Sequence, residues 1–516
     1  MHQFHQQLLD PGTYPERTES VVFKETHISS VYLTDNHAYK LKKPLNLGFL
    51  DFSSLEKRHH YCQEEVRLNR RFTTDTYLGV VSLRQQQGRI SFCERGKLLD
   101  YAVKMRRLPE ERMLDHLLES NAPILADDIS KLGMALRKVV KNAEICRHEP
   151  LRNVDVVKQN CTENFRQTSR AIGTSLSSEA HLLMQTMTRR ELHNLEETML
   201  EREVNGFVRD GHGDLHAANI CMTDPVCIYD CIEFNRRFRV ADIVADLAFL
   251  IMDLEFRKRR DLAEALSLQF QEHSDNHNFK QLLLFYKKYR AWVRGKVDAI
   301  LATDPEASPS TREHAAELAR RYFNLALGYQ LKPTLFLTSG LMGAGKTTLA
   351  RALAHATGAK HLRSDVLRKQ LAGLAEDTKG REAFGAGLYS CEKTKQTYEE
   401  LFNVTAEAID RKGSVVVDAS FAQENERKRF MTLAGQKNYP VWLVHLECPD
   451  EVTLRRLDQR VDDSSDGRRE LFAHQKAVFS EIPPSSEVVK IDTRNPVDYN
   501  VQSLLCRALT TQEQSS

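Results

Sequence analysis

The stretch TLFLTSGLMGAGKTTLA, Thr334 to Ala350, decides how the second half of this chain is read. TLFLTSG (334–340) is apolar and ends on glycine, as a buried strand does. GLMGAGKT (340–347) then fits G-x-x-x-x-G-K-[ST], and TTLARALAHATG (347–358) continues as a helix. Gly340, Gly343 and Gly345 let backbone N–H groups wrap a β-phosphate without Cβ clashes. Ala344 and Thr348 belong to the same nucleotide-binding stretch. Lys346 is placed to reach β/γ oxygens during catalysis, and Thr347 to offer its hydroxyl to Mg²⁺. The alternative is a chance match in a loop, against which the strand–loop–helix setting argues.

Outward from this point, helices alternate with the apolar runs SVVVDAS (414–420), VWLVHLEC (441–448) and EVVKIDT (487–493). That alternation predicts a parallel, doubly wound sheet. HLRSDVLRK (361–369) puts Asp365 and Arg368 about one βα unit after the glycines. A carboxylate there can take the proton of an acceptor hydroxyl while the arginine holds substrate. The competing role is a helix cap made by Ser364 or Asp365. Asp418 ends its strand where a carboxylate can stand near Mg²⁺. Arg455, Arg456 and Arg460 share a later helix, as lid arginines over phosphates or as an exposed basic face. The texture changes near 328–333, which predicts two domains, 1–328 and 329–516.

With GLMGAGKTTLA, RSDVLRK, VVVDASF…ERKRF and HLECP…LRRL…R in hand, residues 334–493 resemble the P-loop small-molecule kinases, near gluconate kinase, polynucleotide kinase and the zeta-toxin kinases. The resemblance implies ATP- or GTP-dependent phosphoryl transfer to a hydroxyl.

A second cluster stands far upstream. VRDGHGDLHAANICM (208–222) holds His212, Asp214, His216 and Asn219 between apolar flanks. Such residues could ligate zinc or iron, although no third His or Cys follows at close ligand spacing and Cys221 is adjacent to apolar residues. The spacing H-G-D-x-H-x-x-N also recurs in phosphotransferases with a bilobal kinase fold. There Asp214 would be the base, Asn219 and Asp230 would hold Mg²⁺, and the histidines would be scaffold. Such a fold asks for a lysine on an early strand and a glutamate on the next helix. Lys40 in HAYKLKK (37–43) and Glu65 meet both demands, with Lys42 on the same strand face as Lys40. The alternative is that Lys40 and Glu65 are simply solvated. Strand-like runs on either side of a helix over 53–72, capped by Ser53 with Glu56 completing a capping box, make 1–108 a small antiparallel lobe. Mostly helical text follows to 301.

Residues from about 20 to 300 thus resemble the aminoglycoside-phosphotransferase-like family, and YDCIEFNRRFRVADIVADLAFLIMDLE (229–255) resembles bacterial two-domain proteins that join such a domain to a P-loop kinase. The resemblance makes Asp242 and Asp246 braces of the catalytic loop. One departure stands out: the phosphate-covering loop, THISSVYLTDN (26–36), contains no glycine and offers Ser29 and Ser30 instead. A binding-only role for the first domain therefore stays open beside a catalytic one.

Composition narrows the partners. Hydrophobic content of 41% and charged content of 28% are globular values, and 516 residues suit two or three domains. A formal charge of 73 − 71 = +2 argues against a nucleic-acid surface. No apolar run reaches membrane-spanning length, and the N-terminus lacks a signal-peptide pattern. Ten scattered cysteines without a CxxC pair fit reduced thiols in the cytoplasm. The expected ligands are a nucleoside triphosphate, Mg²⁺ and a small hydroxyl-bearing molecule. The last residues, TTQEQSS (510–516), read as a frayed tail.

Overall fold

Alternating apolar and polar residues in the first hundred positions fold as six antiparallel strands: β1 (Val22–Glu25), β2 (Ser29–Leu33), β3 (His37–Lys42), β4 (Tyr77–Gln86), β5 (Arg89–Phe92) and β6 (Lys97–Arg106). Their spatial order is β1-β2-β3-β6-β4-β5. The computed structural model describes residues 4–48, 50–73, 75–120, 122–147, 149–271, 278–375, 390–459 and 469–514. The chain divides into two compact units, 1–160 with 191–290, and 161–190 with 291–516.

Successive side chains of a strand point to opposite faces, so β3 sends Tyr39 and Leu41 one way and Ala38, Lys40 and Lys42 the other. Tyr39 and Leu41 join Leu8, Tyr14, Tyr32 and Phe92 in one core layer. Ala38 and Val103 pack against Cys62 and Val66 of helix α1 (Leu55–Asn69). This helix does not use the expected capping box. Ser54 is the cap, its hydroxyl accepting from Lys57 N at 3.2 Å. Ser53 is drawn away because the Asp51 carboxylate accepts both its N–H, at 3.0 Å, and its hydroxyl, at 2.5 Å. A charged acceptor two residues back outcompetes a helix amide.

Later in the same unit, β7 (Val208–Asp210) pairs antiparallel with β10 (Val240–Asp242), and β8 (Ile220–Cys221) with β9 (Cys227–Ile228). Helix α2 (Ile243–Phe256) starts on the Asp242 cap and has 12 of its 14 residues buried, so it is a central helix rather than a surface one.

The second unit contains the expected parallel sheet. β11 (Leu335–Ser339), β12 (Lys360–Arg363), β13 (Val415–Asp418), β14 (Val441–Glu447) and β15 (Val488–Asp492) lie in the order β12-β13-β11-β14-β15. Leu335, Leu337, Val415, Val417 and Leu443 fill the core with Leu401, Leu433 and Phe430. Helix α3 (Pro309–Gly328) lies so close to α4 (Lys346–Thr357) that a Cβ at Gly328 would stand 2.0 Å from the Ala356 carbonyl oxygen. The tail is not frayed as far as it is described: helix α10 (Val497–Gln514) is preceded in the chain by α5 (Ser364–Leu371), α6 (Cys391–Asp410), α7 (Glu424–Gln436), α8 (Asp450–Asp458) and α9 (Arg469–Val478), and it holds its end by side-chain bonds. Gln512 donates to Thr334 Oγ1 and accepts from Lys332 N, both at 3.2 Å. The architecture is mixed α/β, with its parallel sheet in the C-terminal region.

Candidate functional sites

In the second unit the backbone makes the cradle. β11 ends at Ser339, and the chain turns through Gly340 and Gly343, with φ of 149° and 77°, before α4 begins at Lys346. A Cβ at Gly340 would sit 2.8 Å from the Leu446 carbonyl oxygen, and one at Gly343 would sit 2.9 Å from Thr453 Cγ2. Only glycine fits both the dihedral and the space. Gly345 precedes α4 in the left-handed region, Ala344 is buried, and Thr348 is exposed on the first turn. Lys346 Nζ donates to the Leu341 carbonyl at 2.9 Å, folding the ammonium back over the loop. The Met342 amide donates to Gln475 Oε1 of α9 at 2.7 Å.

Register carries the other groups to the same edge. Asp418 lies opposite Thr338 on one side and Arg363 on the other, so the chain segments after three parallel strands meet there. Burial opposes ionisation of Asp418, but the neighbouring His361 ring, the Lys346 charge and the Thr347 hydroxyl hold its pKa below the ordinary value. His361 Nε2 lies 3.4 Å from Asp418 Oδ2. A hydroxyl close to an ionised carboxylate beside a glycine cradle is a donor set that suits Mg²⁺ with a phosphate. Asp365 is the second residue of α5 and does not cap it: the cap position is Arg363, without a side-chain bond. Its carboxylate accepts from Arg368 Nη1 at 2.9 Å. Arg456 stands with a guanidinium nitrogen 3.8 Å from where a Gly345 Cβ would be, and it donates to the Thr493 hydroxyl (3.0 Å) and carbonyl (2.7 Å). Arg455 is exposed, and Arg460 lies outside the described residues.

The first unit builds its site from charged side chains. Lys40 Nζ lies 2.9 Å from Glu65 Oε1 and 2.5 Å from Asp230 Oδ1. Lys42, fully buried, donates to Glu65 Oε2 at 2.7 Å and to Glu233 Oε1. Three carboxylates thus face two ammonium groups. Burial works against every charge here, yet Asp230 and Glu65 raise the Lys40 pKa, and the two lysines lower that of Glu65. Burial instead pushes Glu233 up. The solvated alternative for Lys40 and Glu65 is excluded by their burial.

Asp230 has φ +62°, a left-handed value uncommon outside glycine, and neighbours hold it there. Its N–H donates to the Tyr77 hydroxyl at 3.0 Å, and the next N–H, of Cys231, donates to Asn69 Oδ1 at 2.9 Å. Asp214 is partly exposed at the loop tip, and Asn219 Nδ2 donates to its carbonyl at 2.9 Å and reaches its Oδ2 at 3.4 Å. His212 uses both ring nitrogens on backbone: Nε2 donates to Tyr229 O at 2.8 Å, and Nδ1 accepts from Asp214 N at 3.3 Å. Burial lowers its pKa, which keeps the ring neutral and the tautomer fixed. His216 lies 3.4 Å from Asp214 Oδ2 and packs on Phe249.

Helix α2 braces this loop from below. Asp246 accepts the amides of His212 and Gly213 at 2.7 and 2.9 Å, and Asp253, two turns on, accepts that of Ala217 at 2.9 Å. Asp242 accepts from Arg202 at 2.6 and 2.8 Å. Asp253 and Glu233 were not singled out from the sequence. The i, i+7 spacing of Asp246 and Asp253 was the available signal for the first, since buried acids on an apolar helix need partners. Ser29 and Ser30 are buried in β2, and neither hydroxyl has a hydrogen-bond partner among the described residues. Ser29 lies opposite Lys42, on the face that carries both lysines.

A family model described as an AAA domain matches residues 335–482. Uncharacterized proteins of Mycobacterium tuberculosis and Mycobacterium bovis are 27% identical over 482 residues, covering 93% of this chain and 93% of theirs. Among solved structures, a gluconokinase from Sinorhizobium meliloti is similar over 36% of this chain and 99% of its own, at 17% identity and a TM-score of 0.28. A choline/ethanolamine kinase family protein from Mesorhizobium loti is similar over 59% of this chain and 88% of its own, at 12% identity and a TM-score of 0.37. Among the described residues no helix is long and apolar enough to cross a membrane.

Proposed function

We propose that this chain is a kinase with two candidate nucleotide sites, each moving the γ-phosphate of ATP or GTP to a hydroxyl of a small molecule. The observation that carries the reading is the convergence of Lys346, Thr347 and Asp418 on a glycine cradle at one edge of a parallel sheet. We keep 1–328 and 329–516 as the two functional modules, divided by sequence texture, and the cytoplasm as the compartment.

In the P-loop module, Gly340, Gly343, Ala344, Gly345 and Thr348 line the nucleotide cradle, and Lys346 leaves the Leu341 carbonyl to meet the β/γ oxygens. Thr347 and Asp418 would hold Mg²⁺, which neutralises phosphate charge when bound. Asp365 takes the proton of the acceptor hydroxyl as its oxygen bonds to phosphorus and the bond to the β-phosphate oxygen breaks. Arg368 steadies that carboxylate and holds substrate, and Arg456 and Arg460 close on the phosphates. In the first module, Lys40, set by Glu65, orients phosphate, Asp214 is the base, and Asn219 and Asp230 would hold Mg²⁺. Catalysis rests on positioning and charge neutralisation.

A second reading has support of its own. The glycine-free phosphate loop and a lysine pair already engaged by carboxylates favour a first module that binds and regulates without transferring phosphate. The test is incubation of the purified chain with labelled ATP and a metabolite extract, followed by identification of phosphorylated products. If Lys346→Ala abolishes every product and Asp214→Ala none, the two-site reading falls and the regulatory one stands.

A further inference from the structure

Beside the N-terminal site lies a cluster that the proposed chemistry does not use. Asp210, buried, sits four residues before Asp214. Its carboxylate accepts from Arg239 Nε at 2.7 Å and Arg236 Nη1 at 2.8 Å, and lies 3.0 Å from Arg71 Nη1. Arg71 follows α1, the helix that carries Glu65, and also donates to the Asp210 and Gly211 carbonyls at 3.0 and 3.1 Å. Arg236 and Arg239 belong to the segment after Asp230 and Glu233. Glu149 pairs with the far side of Arg236 at 2.7 Å. Three guanidinium groups therefore share one buried carboxylate and one outer one, leaving an excess of positive charge around Asp210.

The segments drawn together are those that carry the groups of the proposed reaction: α1 with Glu65, the loop with Asp214, and the segment from Asp230 onward. Arginines gathered from separate segments onto one compact anion are the arrangement by which an added phosphate orders a switch segment. Here the anion is encoded in the chain. We propose that Asp210 is the positioning residue of the N-terminal site, a built-in counter-anion that holds α1, the Asp214 loop and the Asp230 segment in register without any modification. The proposal rests on the two-site reading for its effect on turnover, but not for its effect on anion binding. Burial opposes the charge on Asp210, and the Arg239 and Arg71 charges override it, so the group is ionised across the neutral range.

The test uses the full chain carrying Lys346→Ala, so that ATP turnover reports the first module. Adding Asp210→Ala should lower kcat by about 100-fold with KM for ATP within about threefold, because misplacement rather than lost binding is the defect. Formate, the carboxylate that the substitution removes, should restore turnover saturably in Asp210→Ala. It should do nothing for the parent or for Asp210→Asn, whose amide fills the space. Turnover at the parent level in Asp210→Ala, or a loss that formate leaves untouched, overturns the proposal. If the parent turns over no ATP and matches Asp214→Asn, the two-site reading fails instead. The melting temperature then decides: a formate-dependent rise in Asp210→Ala but not in the parent supports the anion site, and no rise overturns it. Should Asp210→Ala be insoluble with and without formate, Asp210→Asn is compared with the parent by melting, and an unchanged melting temperature overturns the proposal.

Discussion

The two candidate sites solve the same electrostatic problem with different materials. In the C-terminal unit the candidate phosphate cradle is backbone, with Lys346 donating to a carbonyl and one buried carboxylate, Asp418, nearby. In the N-terminal unit the candidate cradle is side chain, with Lys40 and Lys42 locked among Glu65, Asp230 and Glu233. The first arrangement would meet an incoming anion chiefly with backbone N–H groups, which carry no counter-ion to displace. The second is already neutralised, so phosphate must compete with carboxylates or join them through a cation. That contrast explains why a short motif suffices to recognise one site and long-range packing is needed to complete the other.

The largest effect expected is at Lys346. Lys346→Ala should reduce phosphoryl transfer by the C-terminal module by roughly 10²–10³-fold or more, measured as kcat with labelled ATP, because in the proposed mechanism the lysine stabilises charge that develops in the transition state. A variant with near-native kcat would place the decisive charge elsewhere and erase the contrast.

Next comes the carboxylate-locked pair. Lys42→Met takes from Glu233 the lysine it pairs with and leaves Glu65 with Lys40, and should cost about 3–5 kcal/mol of stability in chemical denaturation. Lys42→Met with Glu233→Gln should recover much of that loss, since the uncompensated charge is gone. If the double variant is no more stable than the single, the cluster is held by packing rather than charge.

Acid and base should then separate the two units. Asp418 has a folded pKa below 3.8, so its contribution to stability is full above about pH 3.8 and is lost as pH falls through the lowered value. Glu233 has a folded pKa above 4.5, so its contribution is full below about pH 4.5 and is lost as pH rises through the raised value. In calorimetry, Asp418→Asn should flatten the acid limb of stability, while Glu233→Gln should flatten the decline on the way from pH 4.5 to neutrality. Identical pH profiles for the two variants would contradict the assignment of opposite shifts.

The smallest effect is at Ser29. Its buried hydroxyl has no partner, so Ser29→Ala should be neutral or stabilising by up to about 1 kcal/mol without nucleotide. If nucleotide binding to the first module weakens all the same, the serine does the work for which other phosphate loops use glycine. A destabilisation of more than about 1 kcal/mol would mean that the hydroxyl is satisfied after all.

What the sequence alone determined is the part of the protein whose physics is local. A strand, a glycine turn and a helix start at Lys346 are set by neighbours in the chain, so the P-loop and its parallel sheet could be read directly. The lysine of β3, the glutamate of α1 and the loop of Asp214 and Asn219 were legible as candidates because each occupies a recognisable position in its own element. Their union was decided by tertiary structure: Lys40 meets Asp230 across 190 positions, and Lys42 meets Glu233 across 191. The same holds for Asp210 with its three arginines, Gln475 on the Met342 amide, and His361 beside Asp418. Even at Ser53 a two-residue contact with Asp51 overrides a helix-capping pattern. Charge pairing between distant segments leaves no period or spacing in the chain, since a buried ion pair depends on which surfaces meet and how much water is excluded. Only the folded molecule supplies both.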